Sequence, residues 1–137
     1  MLEKLSSQRI LILDGAMGTM IQGYGLSEAD YRGTRFAHLP GVQKGNNDLL
    51  TLTRPDIIAD IHRRYLEAGA DIIETNTFSA QRISMAEYHC QDLCRELNKA
   101  AVALAKELAA EYTRRTPEKP RLVAGSVGPT GKTLSMS

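Results

Sequence analysis

An uninterrupted apolar run at residues 10–13, ending at Asp14, constrains the fold more than any other feature of the sequence. Four branched apolar residues in succession are typical of a strand buried on both faces in a parallel sheet. Gly15 and Gly18 follow closely, and glycine lets the backbone turn sharply and lets a ligand approach main-chain N–H groups. Because chemistry in parallel α/β folds lies at the carboxyl ends of strands, Asp14 is predicted to lie at a functional rim.

A helix and a second strand follow in the order that a parallel sheet requires. Residues 54–68 are predicted to be helical, with Thr53 as N-cap, Pro55 in the first turn and Gly69 in the left-handed position after the helix. Residues 70–76 are predicted to form the second strand. One apolar stripe at helical spacing marks the face that packs on the sheet: Ile57, Ile58, Ile61, Tyr65 and Leu66.

The remaining elements continue the same alternation. A leading helix or arm is predicted at residues 1–8 and one helical turn at 26–30. Helices are predicted at 79–88 and from about 91 to 115, where Pro117 and Pro120 end the second one. A third strand is predicted at residues 121–126. The chain is therefore expected to be α/β, with about three βα units.

The length of 137 residues is short for a closed barrel of this kind, which needs about 250 residues. The sequence is therefore expected to be the amino-terminal portion of a (β/α)8 TIM barrel. Its last strand would leave an edge with unpaired backbone groups, so the chain is expected to self-associate or to be poorly ordered near Ser137.

The charge balance excludes several classes of partner. Seventeen basic and sixteen acidic residues give a net charge of +1, which provides no reason to expect nucleic acid or an acidic membrane surface as a partner. No apolar run approaches the roughly 18 residues of a membrane span, and residues 1–9 lack a secretory signal. Two cysteines do not form a disulfide framework, which favours a cytoplasmic location.

Polar side chains are predicted to meet where the first two strands end. Asp14 and residues 74–77 would line the same rim of a parallel sheet. A carboxylate there can hold an ammonium group, and the N–H groups beside the glycines can hold a carboxylate, so the pattern suits an amino-acid ligand. For Glu74, ligand contact and burial as a paired carboxylate inside a barrel both remain open. No residue supplies a nucleophile, so no catalytic residue is assigned.

Three other features have alternative interpretations. Cys90 and Cys94, beside His89, lie one helical turn apart, which permits metal binding, although buried free cysteines are the expected arrangement. His62 is expected to be solvated or stacked rather than to act as a base. Residues 44–48 form either a simple turn or part of a lid over the strand ends.

Residues 125–133 partly match a phosphate-binding P-loop. The pattern needs a glycine where Ser126 stands, and Pro129 removes an N–H that a phosphate cradle would use. Nucleotide binding is therefore kept as an alternative function.

At several stretches the chain resembles one family, the homocysteine-binding module of the cobalamin-dependent methionine synthases. The resemblance covers essentially the whole chain. The matching stretches are 13–22 (LDGAMGTMIQ), 28–33 (EADYRG), 44–50 (KGNNDLL), 67–78 (EAGADIIETNTF), 115–121 (RTPEKPR), 123–125 and 128–130. The first of these is shared with homocysteine methyltransferases that use other donors, which stay open as an alternative, whereas the third and fifth favour the cobalamin enzymes.

The resemblance implies a (β/α)8 barrel in which zinc activates the homocysteine thiol for attack on the methyl group of cobalamin, with methyltetrahydrofolate as the methyl source. In the family, three cysteines from later strands hold the zinc, and Cys90 and Cys94 do not occupy those positions. Residues 1–137 are therefore expected to be a partial homocysteine-binding domain that binds no zinc or cobalamin by itself and is inactive alone. Its partners would be homocysteine and the folate, cobalamin and activation modules of the parent chain.

The resemblance also assigns the substrate residues. Asp14 is expected to hold the homocysteine amino group, and the backbone at Gly15, Ala16 and Met17 its carboxylate. Further substrate contacts are expected at the ends of the second and third strands: Asn76, Thr77 and Ser126.

Overall fold

The computed structural model of the chain describes residues 1–134, so the expectation for the region near Ser137 lies outside the described residues. It contains two short strands, β1 (Ile72–Glu74) and β2 (Leu122–Ala124), among seven α-helices in that range. Single 3₁₀ turns at Asn47–Leu49 and Gln91–Leu93 precede the fourth and seventh helices. The helices are α1 (Leu2–Gln8), α2 (Met17–Gln22), α3 (Glu28–Arg32), α4 (Leu50–Thr53), α5 (Pro55–Glu67), α6 (Arg82–Ala86) and α7 (Cys94–Arg115).

The sheet is parallel, as the sequence predicts. Strand β1 pairs with β2 so that Ile73 lies opposite Val123. On the other edge of β1, Leu13 and Ile72 form a parallel bridge, and the Asp14 amide donates to the Ile72 carbonyl at 2.9 Å. Three chain segments therefore run side by side in one direction, although only two of them form regular strands within residues 1–134.

The prediction that residues 10–14 form a strand buried on both faces is wrong. Among the described residues this segment pairs through Leu13 alone, and Ile10, Ile12 and Leu13 are 86%, 53% and 53% exposed. The segment pairs with β1 along one edge, and no further layer of the described residues covers its apolar side chains. These side chains therefore remain in solvent.

An ion pair fixes the approach of this segment to β1. The Arg9 guanidinium donates to the two carboxylate oxygens of Asp71 at 2.6 and 3.0 Å, and the Ile12 amide donates to the same carboxylate at 2.9 Å. The Asp71 side chain is 2% exposed. The hydrogen bonds from Arg9 lower the pKa of Asp71, so the carboxylate is charged near neutral pH.

We expect Asp71→Asn to lower the midpoint of urea denaturation far more than Glu96→Gln. Glu96 pairs with Arg35 on the surface, where both side chains are about half exposed, and such pairs contribute little. Because the folded pKa of Asp71 is lowered, its contribution is present at neutral pH and is lost as the pH falls through that lowered value. Equal shifts for the two variants would contradict this role.

Helix α5 matches the predicted helix to within one residue at each end. Its N-cap is Arg54 rather than Thr53, which belongs to α4 and donates its hydroxyl to the Leu49 carbonyl at 3.4 Å. Pro55 occupies the first turn, where its missing N–H costs nothing. Gly69 has a φ of +111° and ends the helix as expected.

The main core lies between α5, α7 and β1. Helix α7 supplies small alanines that allow close approach to the sheet. Tyr112 closes one end of this core by donating its hydroxyl to Glu67 at 2.6 Å. The buried members of this core are Ala59, Leu66, Ala70, Ile73, Ala105, Leu108, Ala109 and Tyr112.

None of the helices in residues 1–134 has the length and apolar character that crossing a membrane requires.

Two predicted helices begin later than expected, each for a local reason. The helix predicted at 79–88 is α6, because the Gln81 side chain accepts hydrogen bonds from the Ile83 and Ser84 amides and so caps the helix there. The helix predicted from about residue 91 begins with a 3₁₀ turn before α7. By contrast, α1 forms as predicted, and the predicted turn at 26–30 is α3, with a capping box between Ser27 and Asp30.

Candidate functional site

A cleft of about 860 Å³ opens at the carboxyl ends of the three parallel segments. Six of the seven predicted site residues line it: Asp14, Gly15, Ala16, Met17, Asn76 and Ser126. Thr77 does not line the cleft and lies directly behind it. The other lining residues are Gly18, Gly45, Asn46, Asn47, Asp48, Glu74, Thr75, Phe78, Ser79, Tyr88, Gly125 and Val127.

Asp14 lies at the rim where the first segment turns toward α2. Its Oδ2 accepts a hydrogen bond from the Glu74 amide at 3.0 Å, while its Oδ1 is buried and has no hydrogen-bond partner among residues 1–134. Burial raises the pKa of Asp14 to about 6, and the nearby Glu74 carboxylate acts in the same direction. A buried carboxylate oxygen without a partner is a natural acceptor for a ligand's N–H group.

The backbone from Gly15 to Met17 forms a second wall of the cleft. Ala16 is the N-cap of α2, and its carbonyl accepts a hydrogen bond from the Tyr65 hydroxyl at 2.9 Å. A Cβ on Gly15 would lie 3.2 Å from that hydroxyl oxygen, so the close packing favours glycine. The first N–H groups of a helix lack intrahelical acceptors, which leaves them suited to an anionic ligand group.

A ring of hydrogen bonds joins the ends of β1 and β2. The Ser126 amide donates to Thr75 Oγ1 at 3.1 Å, and Thr77 Oγ1 donates to the Ser126 carbonyl at 2.7 Å. The two threonine hydroxyls lie 2.7 Å apart, so Thr75 donates to Thr77 and the ring closes. Thr77 and Ser126 therefore brace the floor of the cleft, and Thr77 acts from behind it.

Asn76 holds the opposite wall in place. Its side-chain amide donates to the Asn47 carbonyl at 3.0 Å and to Thr51 Oγ1 at 3.2 Å. The Tyr31 hydroxyl donates to Asn47 Oδ1 at 2.9 Å from the other side. Residues 45–48 are therefore part of the cleft wall, tied to the end of β1, rather than an isolated turn.

Two residues in this wall were not singled out as site residues from the sequence. Asp48 is buried and accepts a hydrogen bond from the Ser79 amide at 2.7 Å, and burial raises its pKa to about 6. Asn46 is 1% exposed, and its Oδ1 is buried with no hydrogen-bond partner in the described part of the chain. The available signal was a cluster of amides and a carboxylate within a long connection, which turn chemistry explains equally well.

The cysteines lie away from the cleft lining. Cys90 is buried in a polar network, where its sulfur lies 3.6 Å from Gln43 Oε1 and 3.3 Å from the Tyr88 carbonyl. Burial raises the pKa of both thiols, Cys90 and Cys94, which disfavours the thiolate that binds metals. No group of three or more His, Cys, Asp and Glu side chains within residues 1–134 is arranged to hold a metal ion.

His62 differs from its prediction as a solvated or stacked residue. Its side chain is 0% exposed on α5, and neither ring nitrogen has a hydrogen-bond partner among residues 1–134. Burial lowers its pKa to about 4, so the ring is neutral near pH 7. The sequence did not reveal this, because a histidine next to an apolar stripe can face either the core or the solvent.

The partial P-loop pattern does not form a phosphate cradle in the described residues. Strand β2 precedes it, but no helix begins between residues 125 and 134. The Gly128 amide donates to the Phe78 carbonyl at 3.0 Å, so this N–H group is already hydrogen-bonded and is not free to bind a phosphate. The geometry gives no support to nucleotide binding there.

Comparisons with known proteins assign the chain to a known family. A model of the family described as Homocysteine S-methyltransferase matches residues 11–137. The chain is also similar to solved structures of the homocysteine methyltransferase MmuM from Escherichia coli. The metallated form is 27% identical with a TM-score of 0.72, and the oxidised form is 28% identical with a TM-score of 0.73. These matches cover 95% of this chain but 42% and 41% of the MmuM chains, so this chain spans about two fifths of their length.

Proposed function

Because the chain belongs to the homocysteine S-methyltransferase family, we propose that its cleft binds homocysteine for methylation at sulfur. The observation that carries this proposal is the buried, unpartnered Oδ1 of Asp14 beside the backbone wall at Gly15–Met17. An amino acid carries an ammonium group and a carboxylate a short distance apart. The Asp14 carboxylate suits the first group and the N–H groups at the start of α2 suit the second.

The proposal extends to the parent enzyme. We propose that residues 1–137 are part of the (β/α)8 domain of a cobalamin-dependent methionine synthase that uses methyltetrahydrofolate. The support is the sequence resemblance, in which residues 44–50 favour the cobalamin enzymes; part of this stretch lines the cleft wall. The second candidate is a homocysteine methyltransferase with another donor, which the similarity to MmuM favours.

The same proposal implies the partners of the chain and its location in the cell. Homocysteine and the folate, cobalamin and activation modules of the parent chain would be the partners, and the unpaired cysteines suit a reducing cytoplasm. The exposed apolar side chains at Ile10, Ile12 and Leu13 support self-association of the isolated chain.

Zinc is implied by the family resemblance, where it would lower the pKa of the homocysteine thiol. The described residues do not fit that metal. The Cys90 sulfur is enclosed by Gln43, Asn46 and the Tyr88 carbonyl, and neither cysteine lines the cleft. We therefore assign no step to zinc on residues of this chain.

Metal analysis tests that assignment directly. We expect the purified chain, dialysed against buffer containing zinc, to retain far less than one zinc per chain, because the described residues offer no adequate ligand set. The measurement is elemental analysis with a Cys90→Ser variant as the matched control. A stoichiometric zinc that disappears in the variant would contradict the expectation.

Homocysteine binding tests the proposed function. We expect L-homocysteine to bind the wild-type chain in calorimetry, and Asp14→Asn to weaken the affinity at least about tenfold, because a charged hydrogen bond to the ammonium group is lost. The asparagine keeps an oxygen for the Glu74 amide, so the fold should persist. Glu118→Gln, on the surface, is the control and should bind as wild type. Absence of homocysteine binding by the wild-type chain would contradict the proposal.

A further inference from the structure

The cleft combines several carboxyl groups with a lack of basic side chains. Asp14, Asp48 and Glu74 line it, with Tyr88 as a further titratable group, and none of its lining residues within the described chain is Lys, Arg or His. Such a wall attracts cations and repels anions. The lining therefore favours the ammonium group of an amino acid.

Asp14 and Glu74 are the carboxylates at the strand ends. They are joined through the backbone, because the Glu74 amide donates to Asp14 Oδ2 at 3.0 Å, and both side chains are half-buried. Asp14 Oδ1 points away from that bond and has no partner among residues 1–134. Burial and the Glu74 carboxylate raise the pKa of Asp14, so Asp14 holds a proton in mild acid more readily than it would alone.

The other titratable groups around the pair do not neutralise it. Tyr65, from α5, packs against Gly15 and donates its hydroxyl to the Ala16 carbonyl. Asp48, from the opposite wall, is bound to the Ser79 amide. Tyr88 lines the cleft beyond Asp48 and brings no positive charge.

We infer that Asp14 and Glu74 together form the receptor for the ligand's ammonium group, and that ligand binding displaces the proton that Asp14 otherwise holds in mild acid. Without ligand, the protonated Asp14 lies beside the Glu74 carboxylate. When the ammonium group binds, that proton passes to solvent and two carboxylates face one cation. This inference rests on the proposed function and adds Glu74 to it as a specificity residue.

The pH range of the effect follows from Asp14. Burial, with the Glu74 carboxylate acting in the same direction, raises its pKa to about 6. Below about pH 6 a proton competes with the ligand, and the apparent affinity should fall toward tenfold for each pH unit. Near pH 8 Asp14 is already ionised, and the affinity should no longer depend on its protonation.

Calorimetry with L-homocysteine, in buffers of different ionisation enthalpy, measures the released proton. We expect about half a proton or more released per ligand near pH 6 and almost none near pH 8. Glu74→Gln should weaken binding about tenfold near pH 8 and move the midpoint of the pH profile downward, because the neighbouring negative charge is gone. Glu87→Gln, an exposed carboxylate outside the cleft, is the matched control. N-acetyl-L-homocysteine, which lacks the ammonium group, should bind far more weakly to the wild type.

The possible outcomes distinguish this inference from the proposed function on which it rests. Homocysteine binding with no proton release, a flat pH profile and wild-type affinity in Glu74→Gln would overturn the inference and leave the proposed function standing. Failure of homocysteine to bind the wild-type chain at any pH would overturn both. Equal affinity for the acetylated ligand would overturn the ammonium assignment for Asp14 and Glu74 alike.

Discussion

Replacing His62 with leucine is expected to stabilise the protein, and to stabilise it more in mild acid than at neutral pH. The His62 ring is fully buried, and its two nitrogens have no hydrogen-bond partners among residues 1–134. Unpaired buried polar groups are costly, and leucine has a similar volume and a higher helix propensity. At neutral pH we expect a gain of about 1–2 kcal/mol in the free energy of unfolding.

The pH dependence gives the larger signal. The folded pKa of His62 is about 4, below the ordinary value of 6.5, so only the unfolded chain takes up a proton as the pH falls between these values. The contribution of His62 to wild-type stability therefore does not depend on pH above about pH 6.5, and it falls by about 3 kcal/mol as the pH falls toward 4. Asp14 and Asp48, whose folded pKa values are raised to about 6, act in the opposite direction over this range, but they are the same in both proteins. The stability of His62→Leu relative to the wild type should therefore rise by about 3 kcal/mol between pH 6.5 and pH 4.

Urea denaturation measured across that pH range tests both effects. His38→Gln, at an exposed histidine, is the matched control. An equal pH dependence of stability in His62→Leu and wild type would contradict the role of this ring, as would a directly titrated His62 pKa near 6.5.

The second large effect is expected from Gly128→Ala. A Cβ on Gly128 would lie 2.3 Å from the Phe78 carbonyl oxygen and 3.0 Å from its ring, so the two segments must separate. The hydrogen bond from the Gly128 amide to that carbonyl would be lost with them. We expect a loss of about 2–3 kcal/mol in the free energy of unfolding, together with weaker homocysteine binding, because Ser126 lies on the displaced segment.

Gly125→Ala is the matched control for stability. A Cβ on Gly125 meets no atom of the described chain within 4 Å, so this substitution should change the urea midpoint little. Comparable destabilisation by the two variants would show that glycine is needed there for backbone reasons, and the steric role of Gly128 would be wrong.

The helices were the part of the fold that could be predicted from the sequence. Helix α5 and the long α7 are specified by local information, since apolar residues recur at helical spacing and Pro55, Gly69 and Pro117 mark their ends. The interiors of both helices were predicted correctly. The N-cap was wrongly predicted at Thr53 because that residue belongs to α4. Nothing in the local sequence distinguishes the end of one helix from the start of the next.

The sheet was harder to predict because pairing depends on distant residues. The branched residues at 10–13 have the composition of a buried strand, but burial requires a covering layer that residues 1–134 do not supply. The parallel direction and the shared rim were predicted correctly, because helical crossovers enforce them. For that reason Asp14, Asn76 and Ser126 meet in one cleft.

The opposite wall of the cleft could not be derived from the sequence. Asn46 and Asp48 belong to a long connection whose position depends on Asn76, Tyr31 and Ser79, far away in sequence. Local patterns predict a turn there, and a turn does form. Which surface that turn faces is decided by tertiary hydrogen bonds.

The polar bonds that build the cleft have a consequence for folding. Several of them join residues far apart in sequence, as in the bonds from Asn76 to Asn47, 29 positions away, and from Glu74 to Asp14, 60 positions away. Contacts of such high sequence separation form late, after local helices such as α5 and α7. A collapsed intermediate with native helix content would therefore have no ligand site. The rate at which refolding chains begin to bind homocysteine would then measure how fast the cleft forms.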